Sequence, residues 1–270
     1  MIRICFAGVT GWTAPPILAA VDAADDLVLA AGVSRSAAGR SLAEATASSS
    51  GGRVYGSVAE ALAAERVDVL VDYTGPAAVA GNVRAAVQAG VHAVVGTSGL
   101  TAGDLAALDR LARDAGVGVV AAGNFSVMAA VLTQAATLAA GQLTHWEVVD
   151  YASAGKPDVP SGTARELAEL LSAVRRPAPA VPPADLHGPV EARGADVDGT
   201  RVHSVRLPGF VVSTEVVFGG AGERLALRHD AGDSPALYVD GTLLAVRRVA
   251  EVPGLRRGLG SLLFGDRAGG

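Results

Sequence analysis

The chain opens Met1-Ile2-Arg3-Ile4-Cys5-Phe6-Ala7-Gly8-Val9-Thr10-Gly11-Trp12-Thr13-Ala14-Pro15-Pro16, and this stretch decides the fold. Ile2 to Ala7 is a short apolar run of strand character, and the glycines follow it at once. Two prolines then stand where a first helix begins, a position that tolerates them. Strand, glycine turn and helix in that order make the pyrophosphate-binding unit of a dinucleotide fold. Small residues let the backbone approach phosphate oxygens, and Ala14 replaces a third glycine at the helix–strand contact. A tight turn without a ligand uses the same residues, so the placement after the N-terminal strand carries the weight. The candidate cofactor residues here are Gly8, Thr10, Gly11, Trp12 and Thr13.

Outward from this loop, Leu27 to Val33, Val67 to Asp72, Val91 to Gly96 and Gly116 to Ala122 are further β-rich or apolar runs. Alanine-rich segments of helical character separate them, which is a parallel α/β pattern. Thr101 caps a helix whose Leu105, Leu108 and Leu111 recur at helical spacing. The second strand ends Gly32-Val33-Ser34-Arg35-Ser36, without the acid that selects NAD by binding its ribose hydroxyls. Arg35 beside Ser34 suits a 2′-phosphate, so NADPH is the preferred cofactor and NADH the second choice. Arg40 reads as a solvated loop charge.

After Asn124 the texture changes. A helix is expected over Val127 to Ala140, a strand near Trp146 to Tyr151, and a helix over Arg165 to Val174. Arg176 to Pro183, rich in proline, cannot continue that helix and reads as an extended surface connection. Thr200 to Leu207, Val211 to Phe218 and Glu223 to His229 are strand-like and indicate an antiparallel or mixed sheet, and Ser234 to Val249 reads as a last helix.

Between strand and helix lies Lys156-Pro157-Asp158-Val159-Pro160-Ser161-Gly162-Thr163-Ala164. The prolines restrict the approach, Ser161 or Thr163 can cap the helix, and first-turn N–H groups favour an anion there. Lys156 adds a mobile positive charge. An ordinary capped helix after a turn would show the same residues.

Composition narrows the remaining classes. The 270 residues are 50% hydrophobic, 18% charged and carry a net charge of −5, so no general attraction to nucleic acid or anionic lipid is expected. The mean hydropathy is +0.37, enough apolar material for one large or two medium domains. The single cysteine, Cys5, sits in an apolar run and fits a reducing cytoplasm, and the N-terminus shows no secretory signal. Ala115 to Trp146 lacks charged side chains, but Gly123-Asn124-Phe125-Ser126 breaks it into a buried strand, a turn and a helix. His92, His145, His187, His203 and His229 form no metal-ligand spacing, and no metal is expected.

Taken together, these motifs resemble the 4-hydroxy-tetrahydrodipicolinate (dihydrodipicolinate) reductase family, NAD(P)H enzymes of bacterial lysine and diaminopimelate biosynthesis. The matching segments are Gly8 to Ala14, Asp72-Tyr73-Thr74-Gly75-Pro76, Gly96-Thr97-Ser98-Gly99, Asn124-Phe125-Ser126-Val127, Glu147 to Ala164 and Gly222-Glu223-Arg224-Leu225. The resemblance implies a Rossmann-type parallel-sheet domain at 1–124 and 232–270, and an α+β domain with a mixed sheet at 125–231 for substrate binding and oligomerisation. It implies a homotetramer or homodimer. It adds Tyr73, Thr74, Gly96, Thr97, Ser98, Gly123, Asn124 and Phe125 to the cofactor residues. It assigns a substrate carboxylate to Lys156, Ser161, Gly162, Thr163 and Arg206.

One departure falls at the chemical centre. Family members carry a glutamate, one residue and a histidine ahead of the lysine loop, whereas this chain reads Asp150-Tyr151-Ala152-Ser153-Ala154-Gly155-Lys156. Alanine carries no proton, so the family's acid is absent and Lys156, Tyr151, Ser153 or water must replace it. Trp12-Thr13 also replaces a common Arg-Met. The expectation is an NADPH-dependent reductase of a cyclic imine or enamine carboxylate, in lysine biosynthesis or specialised metabolism. An amino-acid or keto-acid dehydrogenase and a non-catalytic cofactor-binding homologue are the alternatives.

Overall fold

The computed structural model describes residues 1–265, so positions 266–270 of the C-terminal span lie outside the described residues. In chain order the elements are β1 (Ile2–Ala7), α1 (Ala14–Asp22), β2 (Leu27–Val33), α2 (Leu42–Ala45), β3 (Arg53–Tyr55), α3 (Val58–Ala64), β4 (Val69–Asp72), α4 (Val79–Gln88), β5 (His92–Val95), α5 (Ala102–Ala115) and β6 (Gly118–Ala121). There follow α6 (Val127–Gln142), β7 (Trp146–Ala152), α7 (Gly162–Val174), β8 (Ala195–Val197), β9 (Thr200–Arg206), β10 (Val212–Gly220), β11 (Glu223–Ala231), α8 (Val239–Arg248), β12 (Gly254–Arg257) and α9 (Gly260–Phe264). The chain divides into two compact units, Met1–Val127 with Pro235–Gly270, and Met128–Ser234.

The first unit is built on a seven-stranded sheet in the order β12-β6-β5-β4-β1-β2-β3. Its neighbouring strands pair in parallel. Parallel strands covered on both faces need continuous apolar runs, as in Val69-Leu70-Val71. Thr101 and Asp104 form the capping box of α5, and Gly116 ends that helix at φ 68°, a left-handed turn glycine adopts without strain. Cys5 is buried, and desolvation followed by the Asp72 charge pushes its thiol up to about 12.

Two strands of this sheet, β3 and β12, escape the apolar-run reading. Both are edge strands, and they carry Arg53, Arg256 and Arg257 because an edge meets water on one side. The expected helix from Ser234 begins instead as a 3₁₀ turn over Pro235–Tyr238.

The second unit carries a five-stranded sheet in the order β11-β10-β7-β9-β8, mixed because β7 and β9 run parallel while the other pairs are antiparallel. Along β7 the side chains alternate, with Trp146, Val148, Asp150 and Ala152 buried. Trp146 and Val148 of this face join the core that Leu132, Ala136, Leu167 and Leu171 form from α6 and α7. Asp150 is the polar exception, and it organises the site described below. No helix among the described residues is long and apolar enough to cross a membrane.

Candidate active site

The sheet order places β1 between β2 and β4, so the chain runs outward through β2 and β3 and then crosses to the other side of β1. That reversal is the switch point where open α/β sheets bind ligands, beyond the strand C-termini. Gly8 sits there at φ +89°, and a Cβ on it would lie 2.3 Å from the Tyr73 carbonyl oxygen. Only glycine lets the ends of β1 and β4 approach so closely. The Gly8 N–H donates to Val33 O at 3.0 Å and the Gly11 N–H to Gly8 O at 2.8 Å, which ties in the end of β2.

Thr13 precedes α1 without a side-chain cap, and prolines occupy the helix's first turn. The loop N–H groups of Thr10, Trp12 and Thr13 therefore remain as donors for a pyrophosphate. Thr10 Oγ1 lies 2.9 Å from Ser34 Oγ, which lies 3.2 Å from Ser36 Oγ. Arg35 is exposed beside this hydroxyl row, whereas Arg40 donates to Glu44 O at 2.9 Å. Trp12 is 57% exposed and stands edge-on to Tyr238 at 6.4 Å between centroids. This cradle fits a dinucleotide.

The other strand ends meet at Asp72, a fully buried carboxylate that closes β4. Oδ1 accepts from the Thr74 N–H at 3.0 Å, Thr74 Oγ1 at 2.8 Å and Thr97 Oγ1 at 2.7 Å, while Oδ2 accepts from Asn82 Nδ2 at 2.8 Å. Tyr73 contributes its backbone to the glycine loop and its ring to the core. The ring stacks on Phe6, meets Phe125 edge-on, and its hydroxyl lies 2.7 Å from Thr242 Oγ1. Desolvation drives that hydroxyl's pKa up. Gly96 must be glycine because a Cβ would strike the Tyr73 ring at 2.2 Å. Ser98 and Gly123 are exposed, Asn124 Oδ1 accepts from the Ser126 N–H at 2.8 Å, and Phe125 is buried. Asp72 and Asn82 were not among the expected site residues. The readable signal was an acid ending an apolar parallel strand two residues before a threonine.

In the second unit the lysine loop is folded around a different carboxylate. Ser161 caps α7, accepting from the Ala164 N–H at 3.2 Å. It also donates its hydroxyl to Asp150 Oδ1 at 2.7 Å and its N–H to Asp150 Oδ2 at 2.8 Å. Arg206 Nη2 donates to Asp150 Oδ2 at 2.8 Å and to Asp158 O at 2.7 Å, so one guanidinium fastens the loop to β7. Ser204 Oγ adds a contact at 3.2 Å. Burial pushes the Asp150 carboxyl up, but the bonds from Arg206 and Ser161 outweigh it and hold the group below the usual carboxylate range.

Ser161 is thus turned inward and supports the loop, where a direct contact with a ligand had been expected. Lys156 Nζ lies 2.9 Å from Asp158 Oδ1 with its side chain 29% exposed. Gly162 opens α7 with nothing within 4 Å of where a Cβ would stand, and Thr163 follows it. The structure therefore brings Lys156, Ser161, Gly162, Thr163 and Arg206 together.

Tyr151 is not part of that group. Strand alternation sends it to the face of β7 opposite Asp150 and Ala152. Its hydroxyl donates to Glu215 Oε2 at 3.1 Å, its ring stacks on Phe210 at 5.1 Å between centroids, and Arg228 lies over it at 4.8 Å. Desolvation and then Glu215 raise its pKa, the wrong direction for ready proton release. Ala152 is fully buried and pairs in register with Arg206 and Val212. His203 Nε2 lies 2.7 Å from Glu147 Oε2, on the Tyr151 face. A cavity of about 650 Å³ under the proline-rich connection, lined by Trp146, Val149, Pro177, Pro179 and Val217, contains none of the expected site residues. Among the described residues no group of three metal-binding side chains converges.

A doubly wound sheet with a glycine loop at its switch point, followed by a mixed-sheet unit, defines an NAD(P)H-dependent oxidoreductase. Comparison with known proteins gives the family. The chain belongs to the dihydrodipicolinate reductases: the family's N-terminal model matches residues 2–125 and its C-terminal model residues 125–262. It is 38% identical over 263 residues to the 4-hydroxy-tetrahydrodipicolinate reductase of Mycobacterium sp. (strain KMS), covering 97% of this chain and 99% of the relative. The enzyme of the same name from Geobacillus kaustophilus (strain HTA426) is also 38% identical, at the same coverage. Among solved structures, the dipicolinate-bound dihydrodipicolinate reductase from Paenisporosarcina sp. TG-14 superimposes with a TM-score of 0.79 at 29% identity, covering 97% of this chain and all of that one. An amine dehydrogenase from Mycobacterium smegmatis, at TM-score 0.66 and 15% identity, shares the fold alone.

Proposed function

We propose that this chain is an NADPH-preferring reductase of a cyclic imine or enamine carboxylate whose proton delivery differs from that of its family. The observation that carries the reading is the Lys156 to Thr163 loop in a chain that matches, end to end, a relative solved with dipicolinate. Dipicolinate is a planar nitrogen heterocycle bearing two carboxylates, and the half-buried ammonium of Lys156, exchanging Asp158 for the ligand, suits one of them together with the first turn of α7.

A reduced nicotinamide, when bound, would supply the hydride. The chain's own residues do the rest. Gly8 and Gly11 let the backbone reach the pyrophosphate, and Arg35 with Ser34 receives the 2′-phosphate. Lys156 Nζ balances the substrate carboxylate and stands as the proton donor, alone or through a water it orients. Ala152 cannot donate, and Tyr151 is committed to Glu215.

The test is NADPH oxidation with a panel of cyclic imine carboxylates, with 2-keto acids plus ammonium as the contrasting set. Turnover on at least one cyclic imine carboxylate supports the reading. Turnover confined to the keto acids would replace it with a dehydrogenase.

A further inference from the structure

In a doubly wound sheet each half binds one mononucleotide, and β4 begins the half that takes the nicotinamide once the adenosine lies over β2. The loops after β4 and β5 then carry that ring's contacts. Asp72 is fully buried at the start of this half. Its carboxylate holds both loops at once, Thr74 by two bonds and Thr97 by one, and reaches helix α4 through Asn82. No cationic side chain among the described residues pairs with it; neutral donors alone hold it. Its two oxygens accept from the Thr74 N–H and the Asn82 amide separately. The loops it joins descend from different strands and have no covalent reason to keep a fixed spacing.

We propose that Asp72 is the positioning residue of the nicotinamide half-site, setting the distance between the Thr74 and Thr97 loops; this rests on the reading of the chain as a nicotinamide-dependent reductase. Asp72 itself touches no ligand. Its removal therefore weakens only the part of the cofactor that the two loops hold, and leaves the adenosine and pyrophosphate grip at Gly8, Ser34 and Arg35 as it was.

The experiment compares NADP⁺ with 2′-phospho-ADP-ribose, the same molecule without the nicotinamide, by calorimetry on the full chain. The wild type should bind NADP⁺ more tightly than the fragment. In Asp72→Ala that advantage should shrink by about ten-fold, the scale of losing charge-assisted hydrogen bonds. The fragment's own Kd should stay unchanged. Asp72→Asn keeps the volume and one acceptor oxygen; it should fall between the two and carries the test if the alanine variant fails to fold.

A variant whose fragment affinity falls in step with its NADP⁺ affinity would show a general structural role and overturn the proposal. So would an undiminished advantage for NADP⁺ in both variants. A wild type that binds fragment and NADP⁺ equally overturns the positioning role alone, whereas one that binds neither overturns the cofactor reading beneath it, which separates the two failures.

Discussion

Two helices of this chain begin just beyond a strand and a turn, and they treat their N-termini in opposite ways. Helix α1 follows Gly8 to Thr13 with no side-chain cap, and its first-turn prolines leave the loop N–H groups to an incoming anion. Helix α7 follows the Lys156 loop and is capped by Ser161, with Asp150 already placed against the cap. Both ends are the positive end of a helix dipole, though Pro15 and Pro16 bring no N–H to the first turn of α1, which leaves the preceding loop as its donor. The first is left open and the second is partly filled by the protein's own carboxylate, so under the proposed function a substrate anion there would rely on Lys156, Gly162 and Thr163. A helix start is a generic attraction, and the residues around it decide whether that attraction is spent on stability or on binding.

The largest effect expected from this contrast is at Asp150. Asp150→Asn removes the counter-charge of Arg206 from a buried site and should destabilise the fold by about 3–5 kcal/mol in urea unfolding. Because the native Asp150 pKa lies below its unfolded value, that stabilisation is present above about pH 4 and fades as pH falls through the lowered native value. A wild-type advantage that persists undiminished at the acid extreme would show that packing, not charge, holds α7 in place.

Gly8→Ala should come next. The added methyl meets the Tyr73 carbonyl, and the left-handed backbone is strained for alanine, so a loss of about 2–4 kcal/mol and of NADPH binding is expected. Intact binding would mean that the open end of α1 is not the cofactor's seat.

For the plugged helix, Lys156→Met and Thr163→Val should each lower kcat/KM by the equivalent of about 1.5–3 kcal/mol while NADPH affinity holds, since the cofactor cradle belongs to the first unit. Unchanged kinetics on the true substrate would remove this loop from the site.

Ala152→His introduces a bulky ring at a position with no exposure, and a stability loss of about 1–3 kcal/mol is expected in thermal melts. Turnover of the dipicolinate-type substrate should gain far less than the roughly 10²–10⁴-fold that a restored general acid contributes. A gain of that full size would mark this chain as a decayed lysine-pathway enzyme.

The smallest effect belongs to Arg35→Glu. Arg35 is exposed, so NADPH preference over NADH should fall by roughly five-fold, the scale of one solvent-screened charge contact. Equal wild-type affinities for the two cofactors at one salt concentration would defeat the assignment of Arg35.

Most of the parallel sheet could be read from apolar runs because its inner strands are covered on both faces, as β2 and β4 show. The polar edge strands β3, β8 and β12 could not, since each has only one strand neighbour and no need for a continuous apolar run. The glycine loop and the lysine loop were legible because each is contiguous, and turn chemistry is written in adjacent residues. Asp72 and Asp150 were not, because a carboxylate at a strand end looks like a turn residue until its donors arrive from elsewhere, Thr97 from 25 positions away and Arg206 from 56.

The sequence by itself determined the class of fold, the glycine turn after β1, the absence of an acid after β2 and the presence of an alanine at position 152, all of them properties of neighbouring residues. Only the tertiary structure decided which way those side chains point. It turned Ser161 inward onto Asp150, sent Tyr151 to the opposite face of β7, and made Asp72 the junction of two loops. Side-chain direction depends on sheet register and on donors brought together by folding, and neither is encoded in the local order of the chain.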